Sequence, residues 1–290
     1  MKCYENKNGA VKKTVLVTGC SSGFGRQISF FLKERGWQVY ATARQEEEIK
    51  FLKGEGLKAF FLDLNSSESV RILAQDVLKD SNGSLTAIVN NAGFTQIGAV
   101  EDLSRESLRN QFETNVFGSI ELTNYFIPVF RKQGYGRIVF ITSSDNNAFA
   151  FPFLGAESAS KNALMTFCNA LRRELHNTNI SVSSICPGGF HTRILEKATK
   201  YFSERVNIEK SFHRESYKKL MSYFTNSLKA NKHLDLIAQE VFKILESKKP
   251  KICVVVPFET KLHYLVHKYL PERLLDCLLY LKMKFTYKII

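Results

Sequence analysis

The 290-residue sequence predicts one α/β domain, in which a doubly wound parallel sheet of about seven strands is covered by helices on both faces. Three observations carry this prediction. Short β-rich apolar runs alternate with longer helical segments, a glycine-rich turn joins the first strand to the first helix, and no internal repeat or low-complexity linker divides the chain. A sheet of this kind commonly forms a single domain of this size.

The strands are predicted from short apolar runs that turn residues bound on both sides. These runs are Lys13–Thr18, Gln38–Ala43, Lys58–Leu62, Leu85–Asn90, Arg137–Thr142 and Ile180–Ile185. The segments with helical periodicity between them are Phe24–Arg35, Ser66–Lys79, Arg105–Phe130 and Ser158–His176. Because the two kinds of segment alternate, the strands should be parallel and a ligand should bind at their carboxyl ends.

The composition is that of an ordinary globular protein, with 44% hydrophobic and 24% charged residues. The first nineteen residues lack the apolar stretch of a signal peptide, and no apolar run approaches the ~20 residues that span a bilayer, so we expect a cytoplasmic protein. Residues 191–290 carry 20 Lys+Arg and 10 Asp+Glu, which is +10 of the net charge of +13. This excess suits anionic ligands, an anionic membrane or a solvated basic surface, but no nucleic-acid motif accompanies it.

The cysteines are scattered along the chain. The six of them include no CxxC pair and no neighbouring histidine cluster. We therefore expect neither a metal site nor a disulfide framework, and interpret the thiols as buried or incidental.

The glycine-rich turn spans Thr18–Gly25, directly after the first strand. Its glycines allow a tight turn and let a pyrophosphate approach main-chain N–H groups at a helix N-terminus, where the helix dipole favours anions. The residues expected to hold the phosphates are Gly19, Ser21, Ser22, Gly23, Phe24 and Gly25. A dinucleotide is therefore the predicted ligand.

The second strand ends at Arg44, where an acid that bonds a ribose 2′-OH would be expected. A guanidinium can make two hydrogen bonds to a 2′-phosphate, so NADP is favoured over NAD. Alternatively, Arg44 is an ordinary surface arginine. The negative charges of the acids at 46–48 would also weaken the binding of a 2′-phosphate.

These motifs, in this order, resemble those of the short-chain dehydrogenase/reductase family over roughly residues 13–255. The loop Thr18–Gly25 is similar to the family's TGxxxGxG, Asn90–Gly93 to its NNAG, and Ile141–Ser144 to the segment with its serine. The resemblance is closest to NADP-linked aldehyde, retinol and 17β-hydroxysteroid reductases. It implies a Rossmann-type fold, a homo-oligomer and a small carbonyl or alcohol substrate.

The resemblance also assigns residues to the site. It implies cofactor contacts for Asp63, Leu64, Asn90, Ala92, Gly93, Lys161, Pro187, Gly188 and Thr192, and catalytic roles for Asn115, Ser144 and Lys161.

The departure from the family lies at the position of its tyrosine. The YxxxK motif appears here as Glu157-Ser-Ala-Ser-Lys161, and Ser144 precedes Glu157 by the family's thirteen residues. The family's tyrosine gives a proton to the reduced oxygen. A glutamate has a reference pKa of about 4.3, which Lys161 lowers and burial raises. Loss of a positioned acid typically slows a reaction by about 10²–10⁴.

Glu157 therefore leaves three hypotheses open. The first is an NADP-dependent oxidoreductase with an altered acid–base group, and the second is a catalytically silent NADP-binding protein, a sensor or an assembly subunit. The third, a membrane-associated interaction protein, depends on the tail alone. Glu157 and Lys161 also have the spacing of an exposed helical ion pair.

Two C-terminal segments complete the predicted organisation. Residues 1–257 are expected to form the binding and catalytic domain, including a substrate lid over 190–232, and residues 258–290 an amphipathic tail. Aromatic residues in the lid indicate either a lipophilic substrate or ordinary core packing. The basic amphipathic tail suits an interfacial membrane contact, a cover over the pocket, or docking on the domain or a partner subunit.

Overall fold

The computed structural model describes residues 13–143, 150–188, 194–227, 234–257, 260 and 269–287. Parallel strands form one sheet: β1 Thr14–Val17, β2 Gln38–Ala43, β3 Lys58–Phe61, β4 Ala87–Asn90, β5 Gly136–Ile141, β6 Ile180–Pro187 and β7 Cys253–Val256. Their order across the seven-stranded sheet is β3-β2-β1-β4-β5-β6-β7. The chain therefore reverses its direction of winding between β1 and β4, and the predicted fold is confirmed.

Helices connect these strands and cover both faces of the sheet. They are α1 Gly23–Glu34, α2 Glu46–Gly54, α3 Ser67–Asp80, α4 Arg105–Phe112, α5 Gly118–Gln133, α6 Gly155–Glu174, α7 Ile194–Arg205, α8 Arg214–Ser227, α9 Leu234–Glu246 and a C-terminal helix, Glu272–Leu281. One core joins α1, α2 and α9 to the sheet, and a second joins α3, α5 and α6 to its other face. Strand β1 shows why both form: Val15 and Val17 face the first core, and Leu16 faces the second.

The helix predicted over Arg105–Phe130 is wrong in one respect. A π-helical segment, Glu113–Phe117, separates α4 from α5. Asn115 lies in this segment, where its buried side chain bonds to the backbone of the loop after β4. Such π segments often occur at functional sites because they redirect one side chain without ending the helix.

The segment predicted as a lid packs into a third apolar cluster, in which α7 and α8 meet the loop after β4 and the start of α6. Phe202, Tyr217 and Leu220 are buried there, and Met283 from the C-terminal segment packs on them. Most of the lid aromatics thus serve core packing, although Phe212 is 92% exposed. The C-terminal segment docks on the lid through one side, while Leu274, Leu278 and Leu281 of its helix stay exposed.

Two further sequence predictions concern the thiols and the membrane. Cys20, Cys168 and Cys186 are buried as expected, but Cys253 and Cys277 are exposed, because β7 is an edge strand and the C-terminal helix turns one side to solvent.

Within the described ranges, no helix has the length and apolar character needed to cross a membrane.

Candidate functional site

A cavity of about 510 Å³ opens at the carboxyl ends of the strands, around the reversal between β1 and β4. This is the position and size expected of a ligand site in an open α/β sheet. The sequence-predicted residues that line the cavity are Gly19, Ser21, Ser22, Gly23, Phe24, Arg44, Asp63, Leu64, Ala92, Gly93, Glu157, Lys161, Pro187 and Gly188.

The loops after β1 and β4 interlock at the centre of the cavity. The Thr18 hydroxyl accepts hydrogen bonds from the main-chain N–H groups of Asn91 (3.0 Å) and Ala92 (2.9 Å). The Asn91 amide in turn donates to the Thr18 carbonyl oxygen at 2.8 Å. These reciprocal bonds hold the two loops as one rigid unit.

Gly19 lies where the two loops meet, and only glycine suits that position. Its φ is +72°, a left-handed conformation that L side chains rarely adopt. A Cβ atom added there would lie 2.8 Å from the Ala92 Cα atom. Glycine at this position therefore lets the loop after β4 pack directly against the loop after β1.

Helix α1 begins at the edge of the same cavity. Its N-cap residue, Ser22, makes no side-chain capping hydrogen bond, and the main-chain N–H groups of the first turn lie at this end of the helix. Such groups attract anions, with the helix dipole adding to the effect. The glycine loop and the start of α1 thus fit a dinucleotide's phosphates.

Helix α7, in the segment predicted as a lid, lines one end of the cavity, called here the outer end. Lys197 donates to the Ser21 hydroxyl at 3.4 Å, and the Arg44 guanidinium donates to the Tyr201 hydroxyl at 3.3 Å. Lys200 also lines this wall, so three cations surround one end of the cavity. The acids at 46–48, which opposed the NADP prediction, form the first turn of α2, where the helix dipole favours them.

Helix α6 brings Glu157 and Lys161 to the inner end of the cavity. Lys161 is only 8% exposed, and its ammonium donates to the Ile141 carbonyl oxygen at 3.1 Å. The two residues therefore do not form an exposed surface ion pair. Burial lowers the pKa of Lys161, and the negative charge of Glu157 partly offsets that effect.

Asn115 supports the inner end without lining the cavity. Its carboxamide oxygen accepts from the Phe94 N–H at 3.0 Å, and its amide donates to the Phe94 carbonyl (3.1 Å) and to the Ser160 hydroxyl (3.0 Å). It thus ties the loop after β4 to helix α6, one residue before Lys161. A Cβ atom on Gly93 would lie 3.0 Å from the Asn115 oxygen.

Of the four remaining predicted site residues, two are described and do not line the cavity. Gly25 packs against the glycine loop, since a Cβ atom there would lie 2.2 Å from the Gly19 carbonyl oxygen. Asn90 is buried beneath the site and donates to the Thr123 hydroxyl at 2.8 Å. Ser144 and Thr192 lie outside the described residues.

Sequence reasoning missed several residues of the cavity wall. Asn91 could have been predicted, because it belongs to the Asn90–Gly93 motif. Lys197 and Lys200 could not, because no local sequence pattern indicates that an exposed lysine lies next to a distant loop. The remaining wall residues outside the predicted set are Thr42, Ala43, Gln45, Glu48, Leu62, Phe94, Thr95, Thr114, Ile141, Thr142, Ser143 and Tyr201. Among the residues the structure describes, no three His, Cys, Asp or Glu side chains are grouped to hold a metal ion.

Comparison with known proteins gives consistent relatives. The chain is 34% identical over 279 residues to the uncharacterized oxidoreductase YbbO of Escherichia coli, covering 96% of this chain and 98% of that protein. It is 36% identical over 211 residues to an NADPH-dependent 1-acyldihydroxyacetone phosphate reductase of Schizosaccharomyces pombe, covering 72% and 70%. Retinol dehydrogenase 7 of Mus musculus is 30% identical over 283 residues, covering 92% and 88%.

A solved structure and a family model agree with these relatives. A short-chain dehydrogenase from Streptomyces avermitilis superposes with a TM-score of 0.74 at 28% identity, over 90% of this chain and 93% of that one. The model of the short chain dehydrogenase family matches residues 13–201. The chain therefore belongs to the short-chain dehydrogenase family.

Proposed function

We propose that this member of an oxidoreductase family is an NADP(H)-dependent enzyme that acts on the carbonyl or alcohol group of a lipophilic substrate with an altered acid–base group. The observation that carries the proposal is the composition of one continuous cavity wall. It joins a glycine-lined phosphate loop, the cation Arg44 and the buried Lys161. The relatives support the same direction, since one is named as NADPH-dependent and another as a retinol dehydrogenase.

The cofactor would lie along the carboxyl edge of the sheet. Gly19, Ser22 and Gly23 would hold the pyrophosphate, Asp63 the adenosine and Lys161 the nicotinamide ribose, with Pro187 and Gly188 beyond them. When bound, the reduced nicotinamide supplies a hydride. Residues 1–257 would form this binding and catalytic domain, with the lid over part of it.

The preference for NADP(H) would come from the cations at the outer end of the cavity. Arg44 stands at the end of β2 and would bind a 2′-phosphate. Lys197 already contacts the phosphate loop at Ser21, so it and Lys200 would add charge for either cofactor's phosphates. Helix α7 would thereby close over the bound cofactor.

Glu157 decides how well the site reduces a carbonyl. Such a reduction places a negative charge on oxygen, which the family's phenol neutralises with its proton. An ionised Glu157 has no proton to give and repels that charge. Asn115 would keep its positioning role through Ser160, and Ser144 or a water molecule would have to supply the proton.

The tail would bring the lipophilic substrate to the site. The C-terminal helix exposes Leu274, Leu278 and Leu281, and the chain's basic excess lies mostly in residues 191–290. We propose a peripheral contact with anionic membrane through this surface. Co-sedimentation with anionic liposomes should decrease when the chain is truncated at Glu259, and equal sedimentation of both chains would contradict the contact.

A second candidate function is a silent NADP-binding protein. Glu157 itself favours it, because this residue replaces the group on which turnover most depends. Such a protein would bind NADPH as tightly as an active enzyme does, but it would catalyse no reaction.

The test is NADPH oxidation with aldehydes, retinal and ketosteroids, for the natural protein beside Glu157→Tyr. Turnover by both proteins supports the proposed oxidoreductase, with Glu157→Tyr faster by about 10²–10⁴. Turnover by Glu157→Tyr alone shows that the natural chain is a silent binder. Failure of NADPH to bind either protein contradicts both functions.

A further inference from the structure

Two cysteine side chains meet on one face of the sheet, next to the cavity. Cys253 lies on the edge strand β7 opposite Ser184 of β6, and Cys186 lies two residues further along β6. Ile185 and Val254 face the first core, so the cysteines beside them face the other side of the sheet. Their Sγ atoms are 3.5 Å apart. The fold thus brings two thiols into contact that are 67 residues apart in the sequence.

The two thiols differ in their access to solvent. Cys186 is buried, whereas Cys253 is exposed at the edge of the sheet. A hydrogen bond from the Cys186 thiol lowers the pKa of the Cys253 thiol, desolvation acts against this effect, and the Ser184 hydroxyl adds to it. An exposed cysteine with a lowered pKa supplies the reactive thiolate of such a pair.

Two other cysteines of the chain have the opposite character. Cys20 and Cys168 are buried. Burial raises the pKa of the Cys20 thiol to about 11 and that of the Cys168 thiol to about 12. Both thiols should therefore stay protonated and unreactive in the folded protein, as structural cysteines do.

We infer that Cys253 and Cys186 form a modification site for hydroperoxides, which oxidise the pair to a disulfide beside the cavity wall. In the first step the Cys253 thiolate attacks a peroxide oxygen, the O–O bond breaks, and Cys253 becomes a sulfenic acid while an alcohol or water leaves. In the second step the Cys186 sulfur attacks the Cys253 sulfur, an S–S bond forms and the S–O bond breaks. The thiol proton of Cys186 leaves with the hydroxyl group as water. The two thiols lose two electrons in total, and these reduce the peroxide.

The position of Cys186 suits the second step. The two sulfur atoms have to approach each other by about 1.5 Å, since a disulfide bond is about 2.0 Å long. Among the described strands, β7 pairs with β6 alone, so it can adjust more readily than a strand with neighbours on both sides. A second thiol in contact with the sulfenic acid converts it to a disulfide before further oxidation.

The disulfide should also weaken cofactor binding, a consequence that rests on the proposed function. Pro187 and Gly188 directly follow Cys186 and line the cavity. The hydroxyl of Thr142, another wall residue, lies 3.3 Å from the Cys186 sulfur atom. A shift at Cys186 is therefore passed to the cavity wall. We expect NADPH affinity to fall by about fivefold or more on oxidation, as coupling between two sites typically gives.

The first experiment maps the disulfide in the full chain. The folded protein is treated with a low concentration of tert-butyl hydroperoxide, its remaining thiols are alkylated, and it is digested with trypsin without reductant. Mass spectrometry should find fragment 174–193, which contains Cys186, linked to fragment 252–261, which contains Cys253. The absence of this link overturns the inference, and so does a link from 252–261 to 162–172, which contains Cys168.

Three variants separate the roles of the thiols. Cys253→Ser should abolish the link and leave Cys186 reduced, because the buried thiol does not react first. Cys186→Ser should stop the reaction at the Cys253 sulfenic acid, which dimedone traps. Cys277→Ser, which removes another exposed thiol, should leave the link unchanged. Oxidation of Cys186 in Cys253→Ser would overturn the assigned order.

The second experiment measures NADPH affinity of the reduced and the oxidised natural protein by fluorescence titration, with peroxide-treated Cys253→Ser as the control. A loss of about fivefold or more that dithiothreitol reverses, and that the control does not show, supports the coupling. Equal affinity of both natural forms overturns the coupling. If neither form binds NADPH, the proposed function fails and the coupling with it, whereas the modification site depends on the fragment link alone.

Discussion

The two ends of the cavity differ in how closely they follow the chemistry of the family. At the outer end, the glycine loop, Arg44, Lys197 and Lys200 line the wall together with Glu48, and we propose that the cations bind a phosphorylated dinucleotide. At the inner end, Lys161 and Asn115 match the family's motif residues, whereas Glu157 stands at the position of its tyrosine. We therefore expect changes at the outer end to affect cofactor binding and changes at Glu157 to affect proton supply, with Lys161 joining the two ends. The following predictions, from the largest effect to the smallest, test that separation.

The largest effect should come from Gly19→Ala. The change forces a side chain into a left-handed conformation and against Ala92, at a strain of about 1–3 kcal/mol. We expect NADPH affinity, measured by fluorescence titration, to fall by about 10- to 100-fold as the loop moves. Gly36→Ala is the matched control, since Gly36 has φ of +79° but no atom within 4 Å of the added Cβ. Equal losses in both variants would show that the loop is not the phosphate site.

Lys161→Met tests the link between the two ends. Loss of the ribose contact should weaken NADPH binding by about tenfold or more. Burial lowers the pKa of Lys161 in the folded protein, so the unfolded chain binds more protons. Stability should therefore rise with pH between that lowered pKa and the ordinary value of 10.5, and this slope should disappear in Lys161→Met.

Thermal unfolding across that pH range measures the slope. Lys50→Met provides the control, because Lys50 is exposed on α2. If Lys161→Met keeps the slope of the natural protein, Lys161 is not the residue responsible.

Arg44→Ser should change the cofactor preference without touching the inner end. NADPH affinity should fall by about tenfold, with NADH affinity unchanged, because only NADPH carries the 2′-phosphate. Lys197→Met should instead weaken both cofactors by a similar, smaller factor. Parallel titrations of the two variants with both cofactors distinguish the roles, and an unchanged ratio in Arg44→Ser would contradict the NADP assignment.

The smallest effect on the cofactor should come from Tyr217→Phe in the lid core. The Tyr217 hydroxyl donates to Asp102 and accepts from the Ala99 N–H at 2.7 Å. Its removal leaves a buried N–H without this acceptor, which should lower the free energy of unfolding by about 1–3 kcal/mol. NADPH affinity should hardly change. Tyr125→Phe, on the exposed side of α5, is the control for denaturant unfolding, and an equal loss there would contradict the specific role of Tyr217.

The order of the strands and helices could be predicted because each depends on its own hydrophobic period. Gln38–Ala43 is a strand with the predicted bounds, and the other predicted strands shift by only one or two residues. The strand Cys253–Val256 was not predicted individually, although it is as long as β1, β3 and β4. The π segment around Asn115 was missed because tertiary hydrogen bonds to Phe94 and Ser160 create it.

The sequence by itself determined the fold class, and it carries the proposals of a phosphate loop and of Glu157 at the position of the family's tyrosine, because these are properties of neighbouring residues and their spacing. Only the tertiary structure decided what surrounds those residues. Lys197 reaches Ser21 and Tyr201 reaches Arg44 across long stretches of chain. The same holds for the burial of Lys161, which turns an ordinary helical Glu–Lys spacing into the inner end of a cavity. Desolvation and long-range contacts depend on how the elements pack, and no local pattern encodes them.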